Sequence, residues 1–348
     1  MNLDEAVRDA VGKTRRPGLL VVGAADTTEV AVASSGPIPR PDCPADRVLF
    51  EIGSITKVFT ALLLAVAVQR REVGFEDPLQ DHVPAGVTVP SRGEATITLV
   101  HLATHTSGLP RLPPRFLWEA LRRRDDPYAR LTADRVLASL AAVRLRRPPG
   151  ERFRYSNFGA GLLGLALVHA AGKDLESLVR ERITGPLGMS DTVITMDEDQ
   201  RSRLAPGTTA RGRQASPWTI VGLAGAGALR STVGDLLTFV RAQMGASPPG
   251  TPPELTAAIR ETHVERSRGG RFAPALRMGL GWMLLPIGRG KLDVVWHNGG
   301  TGGYRSYLGC APTIRMGAVA LSSNVRSVDR HGTRVLLDLA SSPSRRPP

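Results

Sequence analysis

The strongest constraint on this chain is an apolar run with a polar entrance. From Val58 to Val68 every residue except Thr60 is apolar, and the run is entered through Gly53-Ser54-Ile55-Thr56-Lys57. Apolar residues around a whole circumference describe a helix buried on all sides, not a surface helix with one wet face. The run is too short for a bilayer, which takes about 20 apolar residues, so no membrane span is expected and the cover must be protein. The chain's 348 residues supply it, as one large domain or as two lobes sharing a core.

The surrounding pattern says what that cover is. A short amphipathic helix is expected over residues 3–11 and strands over 18–24 and 29–33, with Asp26-Thr27-Thr28 as the hairpin turn. A Pro-rich loop fills 34–44, and the apolar helix runs from Ser54 to about Arg71. Residues 77–217 read as helical segments broken by Pro and Gly. A helix over 232–243 and strands over 279–285, 292–296, 306–310 and 317–322 follow, then a last helix over 334–340. Strands at both ends and helices between predict an α+β fold: a mostly antiparallel sheet built from both chain ends, flanked by helices, with an inserted helical lobe. In those terms residues 1–76 and 218–340 form the α/β lobe, 77–217 the helical lobe and 341–348 a disordered tail.

Composition excludes some functions. Lys and Arg number 45 against 32 Asp and Glu, a net charge of +13, which by itself invites nucleic acid. Yet the lysines are only Lys13, Lys57, Lys173 and Lys291. The arginine excess, with 37 Gly and 27 Pro, fits a GC-rich genome. No zinc-finger, helix-turn-helix or RNP pattern accompanies the charge, so no nucleic acid is expected. Cys43 and Cys310 match no metal or redox spacing, and His101 and His105 have no third ligand in view; neither metal nor cofactor is expected. The N-terminus lacks an apolar export segment, which makes cytoplasmic location the expectation.

Three elements carry chemistry. In Ser54-x-x-Lys57 the residues stand i, i+3 at the first turn of the helix, so hydroxyl and ammonium share a face. A lysine entering an apolar core loses hydration, and its neutral form can take a proton from the serine. The plainer reading makes Ser54 a helix cap and Lys57 a surface residue. Tyr155-Ser156-Asn157 sits between a turn and a helix, where a hydroxyl and an amide can reach a cleft; packing and capping are the plain alternatives. Trp296-His297-Asn298-Gly299-Gly300-Thr301-Gly302-Gly303-Tyr304 places four glycines between strands, allowing close backbone approach to a ligand or simply a bulged hairpin.

In order and separation these elements resemble the serine β-lactamases and penicillin-binding proteins, and most closely the class C β-lactamase and esterase branch. The segments from His101 to Pro110 and from Leu229 to Phe239 strengthen the likeness, which spans roughly Phe50 to Asn324. The resemblance implies Ser54 as the acylated nucleophile, Lys57 as its proton acceptor or orienting partner and Tyr155 as general base or acid. It further implies an oxyanion hole from the backbone N–H groups of Ser54 and Gly300, the latter on an edge strand, and substrate contacts from Asn157, His297, Asn298 and Gly299. One departure matters. His297-Asn298-Gly299 stands where β-lactamases carry Lys-Thr-Gly, whose lysine and threonine help hold a substrate carboxylate, and a neutral histidine offers no fixed charge.

The expected activity is therefore serine hydrolysis or acyl transfer on ester or amide substrates. The rivals are a true β-lactamase or D-Ala carboxypeptidase, and a non-catalytic binding or sensor module of the same fold. Residues 111–154 hold twelve arginines against five acids. They form a solvated surface or a docking face for an anionic substrate or acidic carrier protein.

Overall fold

The computed structural model describes residues 1–12, 17–116, 120, 125–270, 273–288, 290 and 292–341. The expected tail, from residue 342 on, and the arginines at 122–124 lie outside them.

Among the described residues, eight strands form one antiparallel sheet in the order β2-β1-β10-β9-β8-β7-β6-β5. These are β1 (Leu20–Ala25), β2 (Val30–Ser35), β5 (Ser267–Arg268), β6 (Arg277–Met278), β7 (Met283–Ile287), β8 (Leu292–Gly300), β9 (Arg305–Ala311) and β10 (Met316–Ser322); β3 (Phe50–Glu51) and β4 (Arg230–Ser231) form a separate ladder. The N-terminal hairpin thus completes a sheet whose other strands come from the C-terminal third.

Alternation explains why the central strands are apolar throughout. Leu20, Val22 and Ala24 face one cluster with α1 (Leu3–Gly12) and the C-terminal helix Asp329–Ala340. Val21, Val319 and Leu321 face the larger cluster that contains α2 (Thr56–Gln69). Both faces of the sheet are covered, so both sets of side chains are apolar. In α2 every residue from Thr56 to Ala67 is buried, and each fully buried leucine contributes about 1.5–3 kcal/mol. No helix among the described residues is long and apolar enough to cross a membrane.

Four sequence expectations change in detail. Of the strand expected over 279–285 only the part from Met283 is strand: residues 279–282 turn between the paired β6 and β7, with Gly281 at φ +70° and its α-carbon against α2, where a Cβ would lie 2.8 Å from the Lys57 carbonyl oxygen. The strand expected to stop at Trp296 continues to Gly300, paired with β9. That strand is not an edge along its length: β7 pairs with it only as far as Trp296, so residues 297–300 form a local edge. The helix start at Ser54 is instead a 3-10 turn, Gly53–Ile55, with Gly53 at φ +51°.

Candidate active site

The local edge of β8 and the turn before α2 meet closely. A Cβ on Gly53 would lie 2.7 Å from the Gly300 nitrogen, and one on Gly299 would lie 3.0 Å from the Ser54 nitrogen. Glycine is required there because main chain packs on main chain. The Ser306 hydroxyl fastens the join by donating to the Ile52 carbonyl at 2.8 Å.

Ser54 does not cap α2. Its Oγ lies 2.9 Å from Lys57 Nζ, which also donates to the Ala226 carbonyl at 2.7 Å. Neighbouring residues of α2 hold the same segment: Thr60 donates to the Gly225 carbonyl at 2.8 Å, and Thr56 Oγ1 accepts from Leu229 N at 3.1 Å. Lys57 is thereby fixed in place, and the one polar break in the apolar run, Thr60, is accounted for. Burial, helped by the positive charge of Arg111, holds the Lys57 pKa well below its usual range, and no carboxylate offsets it among the described residues. A neutral amine has two N–H donors and one lone pair. With one N–H on Ala226, the lone pair is left for the Ser54 proton.

Tyr155 completes the group. Its hydroxyl is hydrogen-bonded to the Ser54 side chain, and burial pushes its pKa up to about 12, so at neutral pH it is a phenol. Lys57 Nζ lies 5.1 Å from the centre of its ring. The N-cap of the following helix, α3 (Asn157–Ala171), is Ser156, which accepts from Gly159 N at 2.8 Å. Asn157 is released from capping, and its side-chain oxygen is buried without a partner.

Ser54, Tyr155, Asn157, Asn298, Gly299 and Gly300 all line one cleft of about 640 Å³. His297 does not. It is fully buried behind the wall, its Nδ1–H donating to the Asn298 carbonyl at 2.6 Å, and burial lowers its pKa to about 3. Asn298 is engaged as well, donating to Asp329 at 2.9 Å.

Other residues enter the site unannounced. Arg111 stands over the Tyr155 ring at 5.4 Å. Arg305 reaches the cleft from β9, donating through Nη1 to the carbonyls of Thr301 and Tyr304. His105, at φ +59°, sets its ring centre 4.4 Å from that of Tyr155 at a 41° tilt, and its Nδ1 accepts from Ser156 N at 3.3 Å. His101 caps the helix turn at Thr98. Arg305, a single arginine at the start of a strand, carries no spacing signal; for His105 the signal was its place in the segment from His101 to Pro110, and for Arg111 its place in the arginine-rich stretch.

A serine with a desolvated lysine one turn along a buried helix, set against the local edge of an antiparallel sheet, defines a class: serine hydrolases of the β-lactamase/transpeptidase fold. The chain belongs to the Beta-lactamase family, whose model matches residues 3–341. It is 31% identical over 279 residues to the D-alanyl-D-alanine-carboxypeptidase/endopeptidase AmpH of Escherichia coli K12, covering 77% of this chain and 69% of that protein. It is 26% identical over 311 residues to a β-lactamase of Pseudomonas fluorescens, covering 80% of each. Among solved structures, the β-lactamase/D-alanine carboxypeptidase of Yersinia pestis aligns with TM-score 0.76 at 28% identity, covering 97% of this chain and 95% of that one.

Proposed function

We propose that the protein hydrolyses ester or amide substrates, or transfers their acyl group to an amine or alcohol, through an ester on Ser54. The observation that carries this reading is the 2.9 Å approach of a desolvated Lys57 amine to Ser54 Oγ. Ser54 Oγ adds to the substrate carbonyl carbon as its proton passes to Lys57. The N–H groups of Ser54 and Gly300 receive the oxyanion, and donors of this kind contribute roughly 3–4 kcal/mol each in the transition state. The bond to the leaving group then breaks as the proton held by Lys57 is relayed to it through the Tyr155 hydroxyl, whose raised pKa keeps it a phenol before and after the transfer, and Lys57 is neutral again. Water or another acceptor attacks the acyl-enzyme as its proton passes to the neutral Lys57, which returns that proton to Ser54 Oγ as the acyl group leaves.

The choice of ester or amide over β-lactam rests on His297. Where the resemblance would place a lysine for the substrate carboxylate, this chain holds a buried imidazole that is neutral at pH 7. A second reading, turnover of β-lactams or D-alanyl peptides, is favoured by Arg111 and Arg305, two cations lining the same cleft, and by the carboxypeptidase relatives.

Incubation with an activated ester and a fluorescent cephalosporin in parallel, followed by intact mass with S54A as control, separates these readings. A Ser54-dependent adduct that turns over on the ester and persists on the cephalosporin is expected. Rapid cephalosporin turnover favours the second reading, and no adduct with either reagent favours a non-catalytic sensor.

A further inference from the structure

Behind the cleft lies a second space of about 550 Å³, within the about 300–1,000 Å³ range of small-ligand sites. Its lining includes the apolar side chains of Leu165 and Val168 of α3, Leu175, Ile194 and Met196. The charged residues beside it are occupied or outside. Asp174 caps the helix Leu175–Val179, Glu176 accepts from the backbone of Ile194 and Thr195, and Arg230 pairs with Glu51. Arg201 is exposed. The side chains left for a ligand there are therefore mostly apolar.

The chamber adjoins the reacting serine. A small space of about 30 Å³ touches Ser54, Asn157 and Gly300, and Trp218 and Ile220 border it on one side and the chamber on the other. The main chain of this partition is held at both ends. Trp218 N donates to Glu51 at 2.8 Å, Arg230 donates to the Trp218 carbonyl at 3.1 Å, and Gly222 N donates to the Leu131 carbonyl at 2.8 Å. The Ile220 side chain, half-buried, is left as the part that can turn. The small space is bordered by Asn157 and Tyr128 and not by Arg305 or Asp329, so it leads away from the charged side of the cleft.

We infer that the chamber receives an unbranched apolar acyl chain of the substrate, which passes Ile220 while its carbonyl sits at Ser54. This rests on the acyl-Ser54 reading and gives it a substrate class, esters or amides of medium-chain acids. The test uses p-nitrophenyl alkylphosphonates with methyl or octyl chains. Ser54 Oγ displaces p-nitrophenolate from phosphorus as its proton passes to Lys57, leaving a stable adduct read by intact mass. The octyl reagent is expected to label the protein at least about tenfold faster than the methyl reagent. L165W, which fills the chamber, is expected to bring the ratio near one; I220A, which widens the entrance, is expected to raise it. Thermal unfolding of each variant confirms that it is folded. A wild-type ratio of one or less, or a ratio that neither variant moves, overturns the chamber's role while leaving the hydrolase reading in place. Failure of both reagents to label Ser54 overturns both readings.

Discussion

K57M is expected to slow acylation of Ser54 by on the order of 10³-fold, the range for removing a general base, equivalent to about 4 kcal/mol of transition-state stabilisation. Methionine keeps the straight chain and fills the same apolar channel. The Ala226 carbonyl loses its donor, at a cost of about 1–3 kcal/mol, offset by removal of a buried amine. The fold is therefore expected to survive, and the loss to fall on the rate of adduct formation with a neutral activated ester. The pH profile tests the same assignment. Lys57 acts when unprotonated, and burial lowers its pKa, so kcat/KM is expected to rise with pH and level off well below the ordinary lysine range. Tyr155, with its pKa at about 12, adds no falling limb below about pH 9. The rising limb disappears in K57M. Wild-type acylation rates in K57M, or a rising limb that persists, would transfer the base to another group.

The same lysine marks how far the sequence could be read. Its spacing from Ser54, the all-round apolar run and the rarity of lysine were visible in the letters, because helical periodicity and desolvation act locally. The acceptor that fixes it, the Ala226 carbonyl, was not, since a main-chain oxygen 169 residues away has no residue type to betray it. The sheet was legible from its alternating apolar strands at both ends of the chain. The turn at Gly281 between β6 and β7 was not, because Gly281 is packed against α2 far away in sequence. Arg305 and His105 illustrate the remaining gap: their significance lies in being brought beside Ser54 and Tyr155 by strand pairing and by a left-handed residue. His297 was legible as a departure but not as a buried one. The face His297 occupies is set by the register of β8 on β9, which puts it opposite the buried Leu308.

Adjacent glycines on β8 give the sharpest test of the geometry. In G299A the new methyl would lie 2.0 Å from the Ile52 carbonyl oxygen, 2.4 Å from Ser306 Oγ and 3.0 Å from Ser54 N. Two of those atoms are main chain, and the first accepts the Ser306 bond that joins β9 to the turn. The methyl can be housed only by pushing the Gly53–Ile55 turn away from β8, which separates the N–H groups of Ser54 and Gly300. A displacement near 1 Å at such a site costs on the order of 10²-fold in rate, and loss of a proper oxyanion donor about 10²–10³-fold. Overpacking adds about 1–3 kcal/mol of destabilisation. G300A is the contrast, because its methyl would face the Arg305 side chain, 2.7 Å from Nη1, and an arginine tip can swing aside. G299A is expected to lose at least about 10²-fold in kcat/KM on a small ester, and G300A no more than about tenfold, with chemical denaturation reporting the stability of each. If G299A keeps wild-type activity, the turn and β8 do not meet as closely as the site requires. Equal losses in the two variants would mean that activity depends on the glycines' flexibility and not on the approach of Ser54 to the strand.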